Sequence, residues 1–239
     1  MKCSNRLICK LKTTEEGVII KIKNDLQGFD EEIHEKLLKD GWRELRPKSI
    51  MGQLPLLIPI MIINLLIVQF IMRIFTQTSG IADYQISGTI QNTEDLLKYA
   101  LPFLVMAIVL IVVHELIHLL FIPNFIKSDN TYIGLTYYGG CVYTTDVLSK
   151  YRACLIYIAP FVFLSIILNV ISGVLGLYNI PLMIFIILNS IGSSGEILEL
   201  ILILLQVPKG AKIVNNGMRT YFRVPLQKQD NRTMLYPKT

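Results

Sequence analysis

Four apolar runs, at residues 54–75, 101–122, 154–177 and 182–207, constrain this chain more than anything else in it. A helix rising 1.5 Å per residue needs about 20 residues to cross a hydrocarbon core of about 30 Å, and each run is long enough. Hydrophobic residues make up 52 % of the 239 and charged ones 17 %, which agrees with a multi-pass protein of the cell membrane. The expected fold class is an all-α membrane protein with four transmembrane helices, and the lipid bilayer is its first partner.

Charges near the ends of the runs orient the spans, because Lys and Arg concentrate in cytoplasmic loops. Arg43, Arg46 and Lys48 precede the first run, and Lys127, Lys150 and Arg152 lie between the second and third. The segment 77–99 offers only Lys98 against Asp83, Glu94 and Asp95, whereas the tail after Val207 carries seven Lys or Arg and one acid, Asp230. Both termini are therefore expected in the cytoplasm. The net charge of +5 reflects this topology and an attraction to anionic headgroups rather than nucleic-acid binding. The first 50 residues are polar, and the first apolar run comes too late and is too long for the core of a cleavable signal. Three regions follow: a cytoplasmic N-terminal element at 1–50, a four-helix core at 51–207 and a basic cytoplasmic tail at 208–239.

The second run is interrupted by chemistry. Val112-Val113-His114-Glu115-Leu116-Ile117-His118 sets two histidines and a carboxylate within an apolar helix, where ionisable groups are rare and default to function. Histidines at i and i+4 share one helical face and can grip one Zn²⁺, while Glu115 between them is placed as the general base for a water activated by the metal. The remaining histidine, His34, lies in a polar segment and reads as a solvated surface residue.

Catalytic zinc sites usually have three protein ligands and an open position, so one more donor is required. Glu196 in the fourth run is the candidate. His114 is the 14th residue of its run and Glu196 the 15th of its own, and with both runs pointing inward each lies roughly 20 Å deep, nearer the cytoplasmic surface. Asn189, Ser193 and Glu196 follow i, i+4, i+7 on one face, where Asn189 or Ser193 can position substrate or an oxyanion. Gly192, Ser193, Ser194 and Gly195 allow a neighbouring helix to approach closely. Glu199 is the first substitute ligand and Asp146 the second.

Outside the spans, residues 18–23 suit a short strand, and residues 30–39 an amphipathic helix ending at Gly41, with Phe29, Ile33, Leu37 and Trp42 as its apolar face. Residues 131–147 are rich in β-branched and aromatic side chains around Gly139-Gly140, a hairpin signal. Such a strand edge can hold an extended peptide by main-chain hydrogen bonds. Cys3, Cys9, Cys141 and Cys154 form no CxxC pair and read as neither disulfides nor ligands.

The His114 to His118 motif, the hairpin loop, Leu155-Ile156-Tyr157-Ile158-Ala159-Pro160 and Ser193-Ser194-Gly195-Glu196 resemble the DUF3267 family, described as putative zincin peptidases. Gly41-Trp42-Arg43-Glu44-Leu45-Arg46-Pro47 and Val207-Pro208-Lys209-Gly210-Ala211 also fit that pattern. The family is in turn similar to the site-2-protease type of intramembrane metalloprotease. The resemblance implies a membrane-embedded zinc peptidase acting on membrane proteins or peptides near the cytoplasmic leaflet. One departure stands out: where this chain has Glu196, the family pattern commonly has an aspartate, as do site-2 proteases at their third ligand.

Two rivals come from other classes. A non-catalytic binding or immunity-type protein on the same scaffold has no need of the base Glu115. A metal-ion transporter needs ligands along several spans, and the first and third runs contain no acid or histidine.

Overall fold

The computed structural model describes residues 8–10, 21–23, 29–47, 50–76, 93–125, 128, 130–136, 139–217 and 219–225. Four helical stretches in it, Met51–Thr76, Ala100–Phe121, Lys150–Val174 and Ile180–Gln206, are long and apolar enough to cross a membrane. They are called spans one to four below.

The spans turn many apolar side chains outward, and polar side chains are buried between them among the apolar ones. Phe70, Leu104, Leu120 and Val174 are exposed, whereas Asn64, Ser165, Asn169, Asn189, Ser190 and Ser194 are buried. In hydrocarbon there is no hydrophobic drive between helices, so interfaces rely on close packing and on polar groups that satisfy one another. Asn64 of span one donates to Ser194 Oγ at 3.2 Å, and Asn169 of span three donates to the Val68 carbonyl at 3.1 Å. Gly173 supplies the closest approach: a Cβ there would lie 2.4 Å from the Phe75 ring. Gly192 and Gly195 behave otherwise, since a Cβ at either meets nothing within 4 Å. The close helix approach expected at those two glycines is absent; their small size leaves open space beside span four.

Span three bends its hydrogen-bond ladder. The helix Lys150–Pro160 passes into a π-helical segment, Phe161–Ile167, before resuming as Leu168–Val174. Such wide turns occur mostly as local insertions and often at functional positions.

The extramembrane segments hold more strand than an all-α reading anticipates. Strands β1 (Ile8–Lys10), β2 (Lys21–Lys23), β4 (Thr131–Thr136) and β5 (Gly139–Thr144) form one sheet in the order β1-β2-β4-β5. The other sheet, in the order β3-β8-β7-β6, joins β3 (Arg43–Glu44), β6 (Leu148–Ser149), β7 (Lys212–Asn216) and β8 (Arg219–Arg223). Pairing of β4 with β5 is antiparallel, with Thr136 opposite Gly139, so Gly139 and Gly140 open the second strand rather than forming the turn. The start of the predicted strand at 18–20, the segment 77–92, Cys3 and the tail beyond 225 lie outside the described residues.

The helix Glu31–Lys39 begins where Asp30 caps the Ile33 N–H and stops at Gly41, whose φ of +79° suits a residue without Cβ. Trp42 packs with Val214 and Tyr221, with Leu37 beside them, while Ile33 remains exposed. His34 is not simply solvated: its Nδ1 is 2.7 Å from the Tyr221 hydroxyl, and its ring tilts against Phe29. Burial raises the Tyr221 hydroxyl above the ordinary phenol value, keeping it a neutral partner.

Candidate metal centre

Span two supplies two of the converging groups and span four the third. One helical turn separates His114 from His118, and their rings meet edge to face with centroids 5.0 Å apart. His114 Nε2 lies 2.9 Å, and His118 Nε2 2.7 Å, from the same oxygen, Glu196 Oε1. One ligand atom from each of the three residues falls within 4.8 Å of the others. Glu199 and Asp146 are elsewhere. Glu199 faces Glu44, Arg219 and Thr220 under the second sheet. The Asp146 carboxylate accepts from Ser128 Oγ at 2.6 Å and Asn130 Nδ2 at 2.7 Å, fastening the turn that leads to β6.

The outer nitrogens of both rings are committed. His118 Nδ1 is 2.9 Å from the Ile156 carbonyl, which can only accept, so the ring donates there. His114 Nδ1 lies 2.9 Å from Asn189 Oδ1, and the Asn189 amide donates to Pro160 O at 3.2 Å and Ser165 Oγ at 2.8 Å. With its NH₂ so occupied, the Asn189 oxygen is the acceptor and His114 the donor. A neutral imidazole that donates from Nδ1 carries a lone pair on Nε2. Two such lone pairs and a carboxylate then face one another, an arrangement that requires a cation between them, either protons on the rings or a metal ion.

The donor set suits zinc, which takes imidazole nitrogen and carboxylate oxygen in catalytic sites of three protein ligands. A second sign of fit is Glu196 Oε2, buried and without a hydrogen-bond partner among the described residues. Such an orphaned carboxylate oxygen is unusual unless an ion completes it.

Glu115 takes a different direction from the histidines. Its Oε2 accepts from the Val142 N–H at 2.7 Å, tying span two to β5. β5 ends its sheet among the described strands, so this N–H belongs to the edge left unpaired by β4. Of the two residues expected to position substrate, Asn189 has its amide fully engaged, oxygen to His114 and nitrogen to span three. Ser193 is buried, and its hydroxyl has no partner among the described residues.

Several supporting residues carried no sequence signal for a site. Ile156 acts through its carbonyl, and Ser165 is one small residue among many in an apolar run. Pro160 was readable as a helix breaker, which is the only available hint that a carbonyl nearby is free.

No curated protein and no solved structure matches this chain. A family model does, over the part of the molecule that contains this cluster. Residues 107–212, which span His114, Glu115, His118 and Glu196, match the model of the family DUF3267, described as a putative zincin peptidase.

Proposed function

We propose that this chain is a membrane-embedded zinc metallopeptidase that hydrolyses peptide bonds of membrane-associated proteins or peptides near the cytoplasmic leaflet. The observation that carries the reading is the convergence of both histidines on Glu196, with Glu115 one residue away and turned to a strand edge. His114, His118 and Glu196 hold the ion. Zinc bound there supplies Lewis-acid polarisation of the scissile carbonyl and activation of a water molecule. Glu115 accepts the proton of the attacking water and passes it to the departing amine. The outer edge of β5 aligns an extended substrate by main-chain hydrogen bonds, beside the Val142 N–H that already serves Glu115.

The membrane setting rests on the four apolar spans, and the inward orientation on the basic residues at their ends. Purified protein stripped with a chelator, given a membrane peptide, and then resupplied with one equivalent of zinc tests the reading. Cleavage that disappears with the metal and returns with it is the expected result; cleavage indifferent to zinc contradicts it.

A second reading, a non-catalytic binding or immunity-type protein, has one observation in its favour. The bond from Glu115 to Val142 gives that carboxylate a structural use without any catalysis.

A further inference from the structure

Span three contributes no side chain to the metal cluster, yet His118 leans on it directly and His114 through Asn189 of span four. We infer that Pro160 is a positioning residue for the metal centre, acting through a backbone carbonyl that its ring leaves free. The inference rests on the zinc reading above and deepens it.

In a regular helix the N–H of residue 160 would bond the carbonyl of residue 156. Proline has no N–H, so the Ile156 carbonyl loses that donor. The next N–H, from Phe161, goes to Ile158 O instead. The vacant acceptor is taken by His118 Nδ1 at 2.9 Å. A second consequence follows immediately downstream. The helix relaxes into the π segment, in which Leu168 N–H reaches back five residues to Phe163 O. Ser165 on that segment and the carbonyl of Pro160 itself both receive the Asn189 amide, which turns Asn189 Oδ1 to His114.

One proline thus stands behind both outer contacts, a carbonyl for His118 and an oriented amide for His114. Each contact holds a proton on Nδ1, so that each Nε2 presents a lone pair to the ion. Groups that orient metal-bound histidines in this way typically change metal affinity about 10- to 100-fold when removed.

The test compares full-length wild type with Pro160→Ala, Asn189→Leu and Asn189→Asp in detergent, each titrated with zinc against a chromophoric chelator. Visible spectra of the cobalt-loaded forms report ligand geometry independently of activity. Pro160→Ala restores an N–H that competes for the Ile156 carbonyl while leaving every side chain of the cluster in place. We expect it to bind zinc about 10- to 100-fold more weakly, with an altered cobalt spectrum and a thermal midpoint no lower than wild type. Asn189→Leu should weaken zinc similarly, and Asn189→Asp, which keeps an acceptor for His114 but loses the donor to Pro160 O and Ser165 Oγ, should fall between Asn189→Leu and wild type.

If wild type binds zinc and Pro160→Ala binds it equally with the same cobalt spectrum, the role given to Pro160 is wrong and the zinc reading stands. If wild type itself takes no zinc, the metal reading falls and this inference falls with it.

Discussion

At the scale of single residues, the centre depends on which of three carboxylates meets the histidines. Glu196 touches both Nε2 atoms, while Glu199 and Asp146 are occupied elsewhere. Glu196→Ala is expected to lower zinc affinity by at least about 100-fold in a chelator competition, the loss of a whole ligand exceeding that of a supporting contact. Glu199→Ala and Asp146→Ala should leave it near the wild-type value, and a reversal of that order would reassign the third ligand. His114, Glu115 and His118 were legible because burying three ionisable groups at fixed spacing has few explanations other than a metal. Glu196 was legible by depth, since two helices entering from the same side place the 14th and 15th residues at one level. The supporting contacts were hidden for a physical reason: a carbonyl acceptor has no letter in a sequence. Asn189 was placed on the correct face, but its task depends on Ser165 and Pro160, which only the folded chain brings to it.

Elements show a different balance. The four spans follow from apolar length, and their observed limits differ from the apolar runs by a few residues. How the spans pack was less readable, because a small residue means closeness in one place and open space in another. Gly173 meets the Phe75 ring at a distance no Cβ tolerates, so Gly173→Ala should destabilise the fold by about 1–3 kcal/mol, seen as a lower thermal midpoint in detergent. Gly195→Ala meets nothing and should leave that midpoint within error. Equal effects at the two positions would mean that the spans pack differently. Strands β7 and β8 turn after the Asn216–Arg219 pair at Gly217, whose φ of +60° suits a glycine opening a tight hairpin loop.

For the whole molecule, the second sheet gathers β3, which precedes span one, β6, which precedes span three, and β7 and β8, which follow span four. These segments therefore share one side of the bundle, an arrangement that an even number of spans permits. The orientation proposed above from the basic residues puts that side in the cytoplasm. In a background lacking other cysteines, Lys209→Cys should react with an impermeant maleimide only after the membrane is opened; labelling of intact cells would invert the topology. Charge patterning reads the segments flanking the spans as one side, but the joining of those distant segments into one sheet depends on non-local pairing that periodicity does not reveal. Catalysis is the claim on which the account turns, and it is tested most directly by turnover of a membrane peptide by Glu115→Gln. Glutamine keeps an acceptor for the Val142 N–H and removes the base, so the structural and chemical uses of Glu115 separate. With zinc content equal to that of wild type, the variant is predicted to lose at least about 100-fold in turnover, the usual worth of general base catalysis. Cleavage at the wild-type rate by the zinc-loaded variant would contradict the account.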